Sequence, residues 1–320
     1  MGKLLEFIKN WMLPLAMAAG VAVYLCYAHI PALAPIKAAS DHIAKSAMPV
    51  LIFLQLLLSF SKVAPRDLRF TRWHLKALLF QTVSCLVITG ITLLLCSSCL
   101  SVKVILEGIM VCLVCPTATA AVVITNKMKG NAANITLYTL ISNFAAAILC
   151  PLLFPLLEPH AGFGFVAAFL RILKKVFPLL ICPFLLATAF RIWLPEVQRW
   201  LERNSGAAFY LWAFALMLVT GQTARSLVNS PESITVKIIV AVCSLAVCLI
   251  NFFVGKKMGG KEHDRITAGQ GLGQKNTVLA IWVALTYLNP LCALAPGAYV
   301  IWQNIFNSIQ LHRVRHGKSI

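Results

Sequence analysis

Two short polar stretches interrupt long apolar runs of the sequence, at residues 115–119 (CPTAT) and 269–277 (GQGLGQKNT). Proline and repeated glycine disfavour a continuous helix, so we expect a break in each stretch. A broken helix exposes backbone carbonyls and amides, which inside a membrane must meet a ligand, water or a polar side chain. The two stretches are therefore candidate binding sites, although hydrogen bonding between helices would also explain their polar side chains.

Other residues that could carry chemistry give weaker signals. The pairs Cys96/Cys99 and Cys112/Cys115 have the Cys-x-x-Cys spacing of zinc sites, but they lie in or at the ends of apolar runs without polar turns. We interpret them as packing cysteines. The ten acids form no cluster of the kind that membrane-embedded transferases use for magnesium. The sequence thus predicts no catalytic residue, no metal site, no cofactor and no enzyme activity.

Composition places the chain in a membrane. Of its 320 residues, 60% are apolar and only 12% are charged. The apolar runs recur over the whole length, and a spanning helix needs about 20 residues. A spanning helix together with its loop takes about 25–35 residues, so the length leaves room for roughly ten spans. It leaves none for a sizeable soluble domain.

Apolar runs between charges and turn residues define the candidate spans. We predict an all-α integral membrane protein with ten of them, at about 10–28, 43–61, 74–96, 104–126, 132–156, 169–190, 207–225, 236–254, 266–288 and 291–311. A short polar loop around Pro159–Gly162 separates five spans from five.

The net charge of +18 is explained by its distribution. With both termini in the cytoplasm, nineteen Lys and Arg residues fall on the inner side and eight on the outer side, as the positive-inside rule requires. Only Lys275 lies deep within a span. No basic run is interleaved with aromatic residues, so the charge does not indicate nucleic acid.

The two halves are predicted to form an inverted repeat, with residues 1–157 as the first and 164–311 as the second. An odd number of spans in each half gives the halves opposite orientations. The fourth span of each half is interrupted, by Pro116 in one and by Gly271 and Gly273 in the other. Paired broken helices in inverted halves indicate a transporter with its site at the midplane. Two unrelated kinks are the alternative, since Gly and Pro are common in membrane helices.

The motifs resemble those of the bile acid:sodium symporter family. The resemblance extends over nearly the whole chain in span number and order. The matching segments are Cys115–Thr119, Lys129–Asn131 with Thr139, Gly273–Asn276 with Leu279-Ala280, Phe80-Gln81 and Pro178–Leu180.

This resemblance implies a ten-helix inverted repeat with two domains. Spans three, four, five, eight, nine and ten would form a core that contains the crossing broken helices. Spans one, two, six and seven would form a panel. Organic anions such as bile acids, keto acids or pantoate-like molecules would bind between the domains, and two sodium ions behind the crossover would drive transport.

The sequence departs from the family at the sodium ligands. Ala121 and Val122 replace residues with side-chain oxygens, Gly271 replaces a glutamate, and Lys275 replaces a glutamine. Gln81 and Thr139 match the family. No carboxylate remains at the crossover, so the usual two-sodium coupling is not expected.

We hypothesise that the Lys275 ammonium takes the place of sodium, held by helix-break carbonyls with Gln81, Gln274, Gln270 and Thr139 in the same region. Three alternatives stay open. A buried ammonium can release its proton, so Lys275 could couple transport to protons. It could instead contact the substrate anion, or face a water-filled cavity.

Thr117, Thr119, Asn276 and Lys275 are the predicted substrate-binding residues, the first three by family position. Helix amino termini at the breaks would present amides to a carboxylate. The expected function is secondary-active transport of a small organic anion by alternating access. A sodium-independent uniporter or exporter, or a transporter-like sensor, is the alternative. We expect a bacterial inner membrane location, with the bilayer and the substrate as partners and without an obligate protein partner.

Overall fold

A computed structural model describes residues 12–30, 34–62, 68–95, 100–159, 164–260 and 262–316. Three predictions therefore lie partly or wholly outside the described residues. They concern the start of the first span, the Cys96/Cys99 pair and most of the loop around Pro159–Gly162.

The described chain folds into helices. These are α1 (Met12–His29), α2 (Ala34–Phe60), α3 (Arg72–Leu95), α4 (Leu100–Val114), α5 (Ala120–Lys127), α6 (Ala132–Leu157), α7 (Phe165–Trp193), α8 (Pro195–Arg203), α9 (Ala207–Asn229), α10 (Ile234–Gly259), α11 (Glu262–Gly273), α12 (Thr277–Tyr287), a 3-10 helix (Pro290–Ala293) and α13 (Leu294–Arg315). Each predicted span coincides with one helix or with a consecutive pair.

Several helices are suited to lipid. By length and composition α3, α6, α7, α9 and α10 can each cross a bilayer. In the apolar window of α3 only 22% of the residues are buried, and Leu79 and Val83 are more than half exposed. Such a face is stable next to acyl chains and not in water. The chain is a multi-pass membrane protein.

One long helix occupies the centre. In α6, 67% of the apolar window is buried, the largest share among the five long apolar helices. It packs against α3 on one side and α7 on another. Its buried polar residues Ser142 and Asn143 therefore lie in the interior, and Ser142 reaches the predicted break in span four.

A short amphipathic helix, α8, follows α7. We did not expect it, because its nine residues fall between predicted spans. Its Gln198 and the preceding Arg191 both donate to the carbonyl of Ser61, just beyond the end of α2. Glu202 accepts from both donors at 2.9 and 3.1 Å. This polar cluster joins the end of α2 to α7 and α8.

Helices α1 and α9 make backbone contact through two glycines. A Cβ atom on Gly20 would overlap the Met217 carbonyl oxygen, and one on Gly221 would lie 2.9 Å from the Gly20 carbonyl oxygen. Small residues allow such close approach between membrane helices. The sequence requires glycine here because any side chain would separate the two backbones.

We predict opposite effects for two Gly→Ala substitutions in lipid-embedded helices. Gly90→Ala in α3 meets no atom within 4 Å and gains helix propensity of about 1 kcal/mol, so it should keep or raise the melting temperature in detergent. Gly20→Ala should lower the melting temperature, because overpacking costs about 1–3 kcal/mol. Equal melting temperatures for the two variants would contradict the contact.

Candidate functional site

The two helix breaks cross each other in the interior. Residues 115–119 separate α4 from α5, and residues 274–276 separate α11 from α12. Their backbones pair in an antiparallel bridge between Thr117 and Lys275. Two hydrogen bonds of 2.8 Å flank the bridge, from Ala118 N to Gln274 O and from Asn276 N to Pro116 O. The unwound backbones thus satisfy part of each other's hydrogen-bonding capacity.

Each bridge residue also caps the opposite helix. The Thr117 hydroxyl donates to the carbonyl of Gly271 near the end of α11, at 2.5 Å. The Lys275 ammonium donates to the carbonyl of Leu113 near the end of α4, at 3.1 Å. The last carbonyls of a helix have no partner within it, so each break supplies the partner that the other helix lacks.

Gln81 reinforces the Lys275 contact. Its Nε2 atom donates to the carbonyls of Val114 and Cys115, at 3.0 and 3.3 Å, and its Oε1 accepts from the Tyr138 hydroxyl at 3.4 Å. A helix carboxyl end carries partial negative charge, which favours a cation. The end of α4 is thus held by an ammonium and a side-chain amide, and both side chains are at most 2% exposed.

Helix α6 supports the crossover through Ser142 rather than through Thr139. The Ser142 hydroxyl accepts from the Thr117 amide at 3.0 Å and lies 3.0 Å from the Thr139 carbonyl. The Thr139 hydroxyl donates to Ile135 in its own helix. Thr139 was predicted for the ion site; in the structure its carbonyl faces the Ser142 hydroxyl, next to the first break.

Gln270 and Gln274 point to α13. Gln270 Nε2 donates to Asn307 Oδ1 at 2.8 Å, and Asn307 Nδ2 donates to Gln274 Oε1 at 2.7 Å. The Lys275 amide donates to Gln303 Oε1 at 3.0 Å. The Gln274 side chain therefore binds α13 and does not contact the Lys275 ammonium. The glutamine that bonds the end of α4 beside this ammonium is Gln81.

A polar stripe of α13 was missed from the sequence. Tyr299, Gln303 and Asn307 are spaced by four residues, which places them on one helix face. Tyr299 donates to the Gly273 carbonyl at 2.8 Å, and the other two bond the second break and its neighbours. The regular spacing of polar residues in an apolar run was the available signal.

The glycines of span nine are packing positions, which corrects one prediction. Gly271 lies inside α11 and Gly273 is its last residue, so the break comes just after them, at residues 274–276. A Cβ atom on Gly271 would lie 2.9 Å from the Tyr138 ring and 3.2 Å from the Trp73 ring. The aromatic pair fills the space that a side chain at this position would need.

The four predicted substrate residues differ in accessibility. Thr117 is 1% exposed and Lys275 2%, and both side chains are engaged in capping. Asn276 accepts from the Leu279 amide as the N-cap of α12. Thr119 is partly exposed at the start of α5 and makes no side-chain capping bond. Of the four, Thr119 has the side chain best placed to meet a solute.

The described residues contain no group of three or more His, Cys, Asp or Glu side chains that could hold a metal ion. Cys112 and Cys115 are both buried and unpaired as disulfides. The chemistry of the site is therefore that of helix ends, amides, hydroxyls and one ammonium.

Apolar helices around two crossing, interrupted helices are typical of secondary transporters, whose sites lie where helices are discontinuous. The sequence profile of the SBF-like CPA transporter family matches residues 14–312, and the chain belongs to this family. The match confirms the resemblance to bile acid:sodium symporters. No curated protein matches the sequence.

Thr117→Val is predicted to destabilise the folded protein, since it leaves the Gly271 carbonyl without its partner at nearly constant side-chain volume. A buried polar group left unsatisfied costs about 1–3 kcal/mol. Thr220→Val is the matched control, because that hydroxyl bonds Leu216 in its own helix, and it should cost less than about 1 kcal/mol. Melting temperatures in detergent give the comparison, and equal losses would refute the capping role.

Proposed function

We propose that the protein is a secondary-active transporter of a small organic anion, such as a bile acid, a keto acid or a pantoate-like molecule. It would work by alternating access and without the usual pair of sodium ions. The observation that carries the proposal is the Lys275 ammonium, which bonds the Leu113 carbonyl at the end of a broken helix. A fixed positive charge thus lies at the crossover, where the family is expected to bind a mobile one.

Three features of the crossover disfavour sodium. A cation close to the Lys275 ammonium would be repelled, most strongly where the dielectric constant is low. Gly271 has no room for a carboxylate, because Trp73 and Tyr138 occupy the space. Ala121 and Val122 offer no side-chain oxygen. A hard cation prefers several oxygen ligands, and these positions supply none.

Helix dipoles support an anionic substrate. Helices α5 and α12 both begin at the crossover, and helix amino termini attract carboxylates. Thr119, at the start of α5, is partly exposed and would contact the substrate. In this proposal Thr117, Lys275 and Asn276 shape the site by capping helix ends, so the substrate meets amides and hydroxyls that they hold in place.

The helix packing supports a division into panel and core. Helices α1, α2, α7 and α9 contact one another in the series α1–α9–α2–α7. Helix α10 packs on α4, α11 and α13, and α3 packs on α4 and α6. We propose that these sets are the panel and the core of a 5+5 inverted repeat, with ten spans and both termini in the cytoplasm of a bacterium.

Uptake into proteoliposomes tests this function. A radiolabelled bile acid, a keto acid and pantoate are offered in sodium chloride and in choline chloride, and at least one anion should accumulate equally in both. Lys275→Gln should reduce its uptake at least about tenfold, since a hydrogen bond to a charged group contributes about 1.5–3 kcal/mol.

Lys76→Gln is the matched control for this variant. Lys76 is exposed near the start of α3, so its loss should leave uptake within about twofold of wild type. Normal transport by Lys275→Gln, with an unchanged pH dependence, would contradict the role given to the ammonium. No uptake of any of the three anions would contradict the substrate class.

Melting temperature in the two salts tests the absence of a sodium site independently of transport. An ion that binds only the folded state raises the stability of the protein by mass action. At matched ionic strength we expect equal melting temperatures in sodium chloride and choline chloride. A saturable rise with sodium that disappears in Gln81→Ala would show that carbonyls and Gln81 bind sodium despite the lysine.

A further inference from the structure

A second buried charge lies away from the crossover. Glu107 on α4 is fully buried, and it is the only Asp or Glu among the buried side chains of the described residues. An ionisable residue inside a membrane is costly and commonly functional. The capping of the crossover does not use Glu107.

Three titratable groups surround the Glu107 carboxylate. Cys292, in the 3-10 helix, donates its thiol hydrogen to Oε2 at 3.0 Å. The Lys103 ammonium, one turn earlier on α4, lies 3.6 Å from Oε1 of Glu107. It lies 2.8 Å from Oε1 of Glu158, which follows α6. The Asn289 amide also faces the carboxylate. Oε1 of Glu107 itself is buried without a hydrogen bond.

The charges of this cluster do not balance. One ammonium faces two carboxylates, and it is closer to Glu158 than to Glu107. The excess negative charge therefore falls on Glu107, the more buried of the two. Burial disfavours an uncompensated charge, and a proton on Oε1 removes it.

A proton fits this place better than a metal cation does. A metal cation needs several oxygen ligands, and here it would lie beside the Lys103 ammonium. A proton needs one oxygen, and Oε1 of Glu107 accepts no hydrogen bond, its nearest charged group being the Lys103 ammonium at 3.6 Å. The described residues also hold no set of three or more metal-ligating side chains.

The position of Glu107 links it to the crossover. Glu107 and Leu113 are separated by about 9 Å along α4. The carbonyl of Leu113 accepts the hydrogen bond from Lys275. Cys292 follows α12, which begins at the second break. The bond between Glu107 and Cys292 therefore joins the middle of α4 to the 3-10 helix that follows α12, away from the crossing. Protonation of Glu107 changes that bond and the partner of Lys103.

We propose that Glu107 is a proton-binding site, at which protonation releases Lys103 to Glu158 alone and weakens the bond from Cys292. Where the chain works as the transporter proposed above, on which this step rests, Glu107 carries the coupling proton on the side that we assign to the exterior. Lys275 then stays a fixed charge, and the two buried ionisable groups have separate tasks.

Infrared difference spectra of the substrate-free protein test the protonation. The S–H stretch absorbs in a window free of other protein bands and reports the strength of the thiol hydrogen bond. Between about pH 8 and about pH 5 the Cys292 band should move toward a weaker hydrogen bond, because a neutral carboxyl accepts less strongly than a carboxylate. Its loss in Cys292→Ser assigns the band.

Substitutions decide what drives the change. In Glu107→Gln the pH-dependent movement should disappear, whereas in Glu196→Gln, an exposed acid on α8, it should remain. In Glu158→Gln the Lys103 ammonium has Glu107 as its only carboxylate in this cluster, so the Cys292 band should move at lower pH than in the wild type. If Glu107→Gln does not fold, Glu158→Gln decides whether Glu107 drives the change. The proposal is overturned if the Cys292 band of the wild type does not move between these pH values. It is also overturned if the band moves in Glu107→Gln as it does in the wild type, or if it moves in Glu158→Gln at the same pH as in the wild type.

Proteoliposomes test the coupling separately. For an anion that the uptake assay identifies, an inward proton gradient should stimulate wild-type uptake, and Glu107→Gln should lose this stimulation while keeping anion exchange. Stimulation that persists in the variant, or that is absent in the wild type, overturns the coupling role. Failure to transport any anion refutes the proposed function, while the infrared result still decides whether Glu107 binds a proton.

Discussion

The fold depends on one constraint, which is that backbone groups freed by a broken helix must find partners inside a bilayer. Two breaks that cross solve the problem together. Their backbones pair at Thr117 and Lys275, and the side chain of each of these residues caps the helix that ends at the other break. Three further side chains bond backbone groups at the breaks, namely Ser142 of α6, Gln81 of α3 and Tyr299 of α13. The buried polar side chains that bond the two breaks are needed because two helices end inside the membrane.

This constraint explains why one lysine is tolerated deep in the bundle. Its ammonium bonds a carbonyl that would otherwise lack a partner, at a helix end that favours positive charge. The charge is thereby fixed to the chain, where a bound ion would come and go. Under the proposed function, a transporter built in this way does without sodium as a driving force and uses another gradient or none.

Much of this could be predicted from the sequence, and the failures have a common cause. Apolar runs located the helices, and Pro116 located the first break. The second break was placed too early, because Gly271 and Gly273 suggest flexibility whereas they are required by the rings of Trp73, Tyr138 and Phe252. Which side of α11 faces which neighbour is a property of packing. Packing also decides which partner the Thr139 hydroxyl takes, and it bonds its own helix.

The bond between Glu107 and Cys292 has a mechanical consequence. Helices α4 and α12 meet at the crossing, and the contact between Glu107 and the 3-10 helix connects them a second time, away from it. Two connections restrain the rotation of one half-helix against the other more than one does. While the bond from Cys292 is intact, a change of shape in the crossing pair therefore falls more easily on the opposite side, on α5 and α11.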